Sequence, residues 1–410
     1  MQYVHEFRDP TKAQGLIQAI TALGEQITAH RPGPIKIMEV CGGHTHAIFK
    51  YGLEALLPGT VELVHGPGCP VCIMPKGRLD DAIAIAQQPG VIFTTFGDAM
   101  RVPGSHLNLL QAKAQGADIR MVYSPLDALA IAKANPDQSV VFFAIGFETT
   151  APSTALTVLQ AQAEGVTNFS LFSNHVLVVP ALQALLDNPD LALDGFVGPG
   201  HVSLVIGTHP YDPIAQQYHK PVVVSGFEPL DILQSVWMVL KQLAEGRCQV
   251  ENQYTRLVQP DGNAVALKAM AQVFQVRPTF DWRGLGSIPA SGLAISPAFA
   301  AFDAEQQFTI PGKTIADHRA CACGDILKGV KKPWDCKVFG TACTPQTPIG
   351  ACMVSTEGAC AAYYNYGRRS RQSTPSAVKP PVQTSGPSPQ TRPTTGELSP
   401  AEPGKIEQYC

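Results

Sequence analysis

IKIMEVCGGHTHAIF, residues 35–49, joins a short apolar run to a Cys-Gly-Gly-His turn and then to the start of an amphipathic stretch. A run this short, rich in β-branched residues and closed by small residues, reads as a buried strand passing into a helix. The same unit recurs outward from it. The runs VELVH (61–65), VIFTTF (91–96), IRMVY (119–123), SVVFFAI (139–145), NFSLFS (168–173), GFVG (195–198) and PVVVSG (221–226) alternate with helical patterns such as 76–87 and 153–164. Strands that are apolar throughout, separated by helices, predict parallel sheets covered on both faces, and hence an α/β protein.

Eight such strands predict two doubly wound lobes, with a break expected near residues 123–126, so that 1–123 forms one lobe and 124–246 the other. Residues 247–366 change character. A strand over 250–258, a helix over 264–276 and the Gly/Pro-punctuated DWRGLGSIPASG lead into a third, cysteine-rich unit. From 367 to 410 the chain holds eight prolines and almost no aliphatic residues. Such a composition cannot offset its ordering entropy and predicts a disordered tail.

Thirty Lys and Arg against 33 Asp and Glu leave a formal charge of −3, which offers no footprint for nucleic acid or an anionic membrane. The N-terminus MQYVHEFRDPTKAQ is charged from Glu6 and does not read as a secretory signal. No stretch reaches the roughly 18 apolar residues of a membrane span. The expected compartment is therefore the cytoplasm, where clustered cysteines are metal ligands or redox thiols more often than disulfides. Eleven cysteines are present, six of them between 321 and 360.

The reactive side chains follow the predicted strands, where ligands bind in open α/β sheets. Cys41, His44 and His46 follow the first strand, with Gly42 and Gly43 implying close backbone approach. Gly-Pro-Gly-Cys69-Pro-Val-Cys72 follows the second. At a helix N-terminus such a Cys-x-x-Cys would present both sulfurs on one turn with a depressed thiol pKa, suited to disulfide chemistry or to a metal; a pair of small buried hydrophobes is the plainer reading. Thiolate with imidazole suits iron or zinc. Gly66-Pro67-Gly68 lacks the remaining features of a dinucleotide or Walker A loop. Asp98, Glu148, His175, His201 and Glu228 stand at strand ends as candidates for site chemistry and equally for helix capping.

In the C-terminal unit, Cys323, Cys336, Cys343 and Cys360 leave twelve, six and sixteen residues between successive thiols, with Cys321 and Cys352 over. Four thiolates in a helix-poor context suit a [4Fe–4S] cluster, and four-thiolate zinc uses the same ligands. The irregular spacing, without paired Cys-x-x-Cys knuckles, favours iron–sulfur. Cys248 and Cys410 read as incidental.

CGGHTH (41–46), GPGCPVC (66–72), TFGDAMRVPGS (95–105), GFETTAP (146–152), SGFEPLDIL (225–233) and the tract from HRACACGD through CMVSTEGACAAYY resemble the HypD family of [NiFe]-hydrogenase maturation proteins over about residues 5–366. The resemblance implies a scaffold that, with the small chaperone HypC, holds iron while an Fe(CN)2CO group is assembled for the hydrogenase large subunit, with cyanide arriving from HypF by way of HypE. It implies that Cys41 is an iron-holding thiolate, that Cys69 and Cys72 are a redox-active or iron-proximal pair, that His44 helps position iron or its ligands, and that the C-terminal cysteines hold a [4Fe–4S] cluster. Electrons are then expected to reach the iron through Cys69 and Cys72. A stand-alone thiol–disulfide or iron–sulfur oxidoreductase, and a zinc-stabilised binding module, are the competing readings of the same residues.

Overall fold

The computed structural model describes residues 5–188 and 191–367 of the 410-residue chain. The tail predicted over 367–410 lies, but for Gly367, outside the described residues.

The eight apolar runs, with the start of the strand expected over 250–258, become nine parallel-sheet strands: β1 (Ile35–Glu39), β2 (Val61–His65), β3 (Val91–Thr95), β4 (Asp118–Met121), β5 (Ser139–Gly146), β6 (Phe169–His175), β7 (Gly195–Pro199), β8 (Val222–Ser225) and β9 (Val250–Asn252). They form two sheets, ordered β2-β1-β7-β8-β9 and β4-β3-β5-β6, with every pairing parallel. Four further short strands, β10 (Phe274–Val276) with β13 (Leu293–Ile295) and β11 (Thr279–Trp282) with β12 (Gly286–Pro289), make two antiparallel ribbons.

The α/β expectation of two parallel lobes is met, but sheet membership does not change at residue 123. Strands β3 and β4 belong with β5 and β6, and the chain returns to the first sheet for β7, β8 and β9. The physical reason is the partner that β1 needs. Its free edge is filled by β7, with Ile37 opposite Gly195 and Glu39 opposite Val197, not by its nearest successor beyond β2.

Both faces of each sheet are covered, which is why the strands carry no polar alternation. In the second sheet Ile92, Val140 and Phe142 meet Ala155 and Val158 of the helix Ala151–Ala163. The alternate residues Phe93, Val141 and Phe143 belong to a core on the other face with Leu79, Ile83 and Ile85 of the helix Lys76–Ala86. This is the period of two expected of a strand. Each fully buried Phe of this kind contributes about 1.5–3 kcal/mol of burial free energy. The first sheet is covered by the helices Pro10–Thr28 and Pro229–Ala244 through Ile20, Val236 and Val239.

The cysteine-rich segment is part of the same core. Cys323, Cys352, Met353 and Cys360 pack in one cluster with Met38, Val64 and Cys72, and Arg101 donates to the Val354 carbonyl at 2.6 Å. It therefore sits against the carboxyl edge of the strands, where the catalytic-type loops emerge. No helix among the described residues is long and apolar enough to cross a membrane.

Candidate functional site

In the first sheet the strand order reverses between β1 and β7, so the loops that follow these strands diverge and leave a crevice. Cys41 leaves β1 and His201 follows β7. Across 160 residues of sequence they meet, with Cys41 Sγ 3.4 Å from His201 Nδ1.

Cys41 is the N-cap of the helix Gly42–Tyr51, held in extended backbone. Its amide donates to Glu39 Oε2 at 3.0 Å. Burial, and then the Glu39 carboxylate, push the Cys41 thiol well up, while the amides of His44 and Gly43 pull the other way. At rest Cys41 is thus a neutral thiol. Burial also lowers His201 to about 4, with neighbouring His44 acting in the same sense, so the imidazole beside the thiol is neutral.

His44 is fully buried. Its Nε2 lies 2.9 Å from the Gly226 carbonyl and 3.3 Å from that of Ser225, so Nε2 carries the hydrogen. Nδ1 therefore keeps a bare lone pair, and it has no partner. Phe227 stands beside both imidazoles, 5.0 Å from the ring of His44 and 5.3 Å from that of His201.

Glu39 underlies this arrangement. It is buried and accepts from His65 Nδ1 at 2.6 Å, from the Thr45 hydroxyl and from the Cys41 amide. Glu357 comes from the cysteine-rich segment to lie over Gly42, where a Cβ would meet its carboxylate at 2.7 Å. Burial, then Asp98 and Glu39, raise the Glu357 pKa. Two carboxyl groups within electrostatic range of Cys41 favour a cation at its sulfur.

The GPGCPVC loop differs from its expected geometry. Cys69 and Cys72 lie on a hydrogen-bonded turn that ends before the helix Lys76–Ala86, with the Cys72 amide donating to Cys69 O at 3.1 Å and lying 3.3 Å from Cys69 Sγ. Removed from the helix N-terminus, Cys72 is not depressed. Burial raises it, followed by hydrogen bonding to Cys352 and Cys69. Cys352 is the acceptor at this junction. Hydrogen bonds from Cys323, Cys360 and Cys72 lower its pKa well below the usual thiol range and so favour its thiolate. Hydrogen bonding to Cys323 and Cys352 raises Cys360, and hydrogen bonding to Cys323 raises Cys321. A file of neighbouring, mutually perturbing thiols thus runs from Cys69 through Cys72 and Cys352 to Cys323, Cys360 and Cys321.

Of the four cysteines singled out by spacing, Cys323 neighbours Cys360 and raises its pKa, and Cys343 lies within electrostatic range of Cys321 and Cys323. Cys336 faces the Ala320 carbonyl at 3.9 Å, while the Phe339 amide donates to its carbonyl in the turn that leads to Cys343. Cys352, left over by spacing, is the best connected. Among the described residues no three His, Cys, Asp or Glu side chains stand at the separations of a formed metal centre. The donor set and its surroundings nevertheless fit a thiolate-ligated group. A Cβ on Gly350 would strike the sulfurs of Cys321 and Cys323, and one on Gly358 would stand 2.8 Å from Cys72 Sγ, so both glycines leave room beside sulfur that no other residue would.

Asp98 and Glu148 each cap a helical segment and each keep a second feature. Asp98 accepts from the Ala99 amide at 2.9 Å and hydrogen-bonds Ser355, tying the TFGD loop to the cysteine-rich segment; burial raises its pKa. Glu148 accepts from the Val178 amide at 3.0 Å, yet its Oε2 is buried without a partner, and burial pushes its pKa up to about 7. His175 is a core histidine, bonded to Thr154 and Gly146 and lowered by burial to about 4. Glu228 pairs with Arg8 at 2.5 Å, His46 lies 3.4 Å from the Thr356 carbonyl, and Cys248 donates to His219 O. Cys410 lies outside the described residues.

Glu39, His65 and Glu357 were not singled out in the sequence. A signal for the first two exists: an acid and a histidine end two mainly apolar strands, and the register sets Glu39 directly opposite His65.

A family model described as "HypD: Hydrogenase formation hypA family" matches residues 12–367. The chain is 58% identical over 371 residues to a hydrogenase maturation factor HypD of Rhodobacter capsulatus, covering 90% of this chain and 98% of that protein. It is 54% identical over 375 residues to the Rhizobium leguminosarum bv. viciae protein of that name, covering 90% and 96%. Against that of Escherichia coli (strain K12) the identity is 52% over 366 residues, covering 89% and 98%.

Proposed function

Because the chain belongs to the HypD family of hydrogenase maturation factors, we propose that it is the scaffold on which iron is held while its cyanide and carbonyl ligands are installed. The observation that carries this reading is the Cys41 thiol at a switch-point crevice, 3.4 Å from a neutral imidazole.

Iron enters as cargo. Binding it replaces the Cys41 proton, and His201 Nδ1 is placed to accept that proton. His44 offers a second donor through its bare Nδ1, which the two backbone carbonyls on Nε2 prevent from turning away. Glu39, locked by His65 and Thr45, fixes the amide of Cys41 and hence the direction of its sulfur. Soft thiolate and imidazole donors suit low-spin iron, and the adjacent carboxyl groups balance its charge.

Four of the six C-terminal cysteines, with Cys323, Cys336, Cys343 and Cys360 as the spacing-based set, would hold a [4Fe–4S] cluster. Such a cluster supplies a store of electrons. The Cys69–Cys72 pair supplies a dithiol between that segment and Cys41. The partners proposed are a HypC-type chaperone that shares the iron through its own thiolate and a HypE-type donor of cyanide; the hydrogenase large subunit is reached through them. A thiol–disulfide oxidoreductase acting alone is the second reading, favoured by the Cys72–Cys352 contact.

Infrared spectroscopy separates the two. Co-purified with a HypC-type chaperone, the chain should show two cyanide bands and one carbonyl band, and Cys41→Ser should lose them while keeping its labile sulfide. A complex without these bands, or bands that survive in Cys41→Ser, would overturn the scaffold reading.

A further inference from the structure

A cavity of about 740 Å3 lies away from Cys41. Its walls come from three segments: the start of the helix Lys76–Ala86, the ribbon of β11 and β12, and the stretch 312–317. Lys76, Arg78, Arg277, Arg283 and Lys313 line it.

The helix opens on Pro75 and receives no side-chain cap. Among the described residues the amides of Lys76, Gly77 and Arg78 have no acceptor, so the positive end of an eleven-residue helix faces the cavity. Gly77 is needed there, since a Cβ would collide with the Lys313 carbonyl.

The second observation is Arg283, which is only 4% exposed. Its Nε donates to Asp317 at 2.6 Å and its Nη2 to the Pro103 carbonyl at 3.3 Å, but Nη1 is buried with no partner. Leaving a charged donor unsatisfied costs more than a neutral one, and burial magnifies it.

The carboxylates nearby are already engaged. Glu305 accepts from both Arg78 and Arg277, Asp81 from the Gly312 amide at 2.8 Å, and Asp281 from the Thr314 hydroxyl at 2.8 Å. Lys76 and Lys313 have no ion-pair partner among the described residues. With Glu305 counted beside the three lining aspartates, five cations and a bare helix N-terminus face four carboxylates, and the excess is positive.

We propose that this cavity binds the phosphate group of a small phosphorylated molecule. Its place gives it leverage over the thiols. The Arg283 amide donates to Ile73 O at 2.7 Å, directly after Cys72, and Asp317 lies four residues before Cys321. An anion held here ties together the segments that carry the two ends of the sulfur file.

The test is calorimetric titration of the full chain with inorganic phosphate and, separately, glycerol 3-phosphate, at ionic strength fixed by KCl. Saturable binding is expected. Lys76→Ala with Lys313→Ala should weaken it about tenfold or more, the scale of one or two charge-assisted hydrogen bonds, and Arg283→Gln should abolish it. Tighter binding of the ester identifies a phosphorylated metabolite as the occupant. Equal or tighter binding of inorganic phosphate overturns that part and leaves free phosphate as the occupant. The lysine pair, half-buried Lys76 and exposed Lys313, keeps the test decisive should Arg283→Gln not fold. Heat that follows ionic strength alone, or binding undiminished in the lysine double variant, overturns the site.

Discussion

Glu148→Gln makes the buried carboxyl of the GFETTAP loop visible as a pH-dependent stability. The carboxyl is taken from an ordinary 4.5 to about 7 by burial, with only the Val178 amide donating to Oε1 from another segment and nothing on Oε2. The sign is the reverse of an ion-paired acid. Below about 4.5 the group is neutral in both states and contributes nothing. As pH rises toward 7 the unfolded chain ionises freely while the folded one resists, so stability is lost through that window and the loss is complete above it. A difference of about 2.5 in pKa, at about 1.4 kcal/mol for each, is about 3–4 kcal/mol. Glutamine keeps the acceptor for Val178 and removes the ionisation. Its amide nitrogen finds no acceptor, which costs about 1–3 kcal/mol at every pH. The variant should therefore be less stable than the parent at pH 5 and equal or more stable at pH 8.5. Urea denaturation of both proteins at pH 5, 6, 7 and 8.5 measures the difference. A gap constant across that range would refute the assignment of a neutral, desolvated carboxyl to Glu148.

Cys69→Ser and Cys72→Ser should each abolish hydrogenase maturation while labile sulfide in the purified chain stays at the parental level; full maturation by either variant would remove the dithiol from the pathway. Gly358→Ala places a methyl group against Cys72 Sγ and the Cys352 carbonyl. It should cost about 1–3 kcal/mol and slow formation of a Cys72–Cys352 disulfide by added diamide, which takes up the two thiol protons and two electrons, with thiol labelling as the measure. Glu39→Ala strands His65, Thr45 and the Cys41 amide together, and thermal unfolding should report a loss of about 3–5 kcal/mol, against about 1 kcal/mol for Thr45→Val.

The central strands were legible because they are short runs of β-branched and aromatic residues buried on both faces, unlike β4 and β9 at the sheet edges, and the reactive loops were legible because they follow such runs. Sheet membership was not. Period and composition mark Val91–Thr95 as a buried strand, but nothing local states that its neighbours are β4 and β5 and that β1 waits for β7. The same limit governs the site. Cys41, His44 and the Cys-x-x-Cys pair declare themselves by type and spacing, whereas the roles of His201, Glu39 and Cys352 arise from contacts between segments far apart in the chain. Spacing singled out Cys323, Cys336, Cys343 and Cys360 because it counts residues along a loop; that Cys352 has Cys72, Cys323 and Cys360 as neighbours is set by the fold.

The second sheet is built from one continuous stretch of chain, Val91 to His175, while the first is split around it. On a ribosome this difference becomes an order of events. The second sheet can close as soon as β6 emerges, but β1 has only β2 for company until β7 is made, more than 150 residues after β1 began. Long-range pairing of this kind is the slow part of folding. Cys41, interred in the finished protein, therefore spends synthesis in contact with solvent, and the imidazole that will neighbour it is not yet translated. The surroundings that enclose this thiol in the finished protein are completed only after β7, when Phe227 and, last, Glu357 of the cysteine-rich segment have been made.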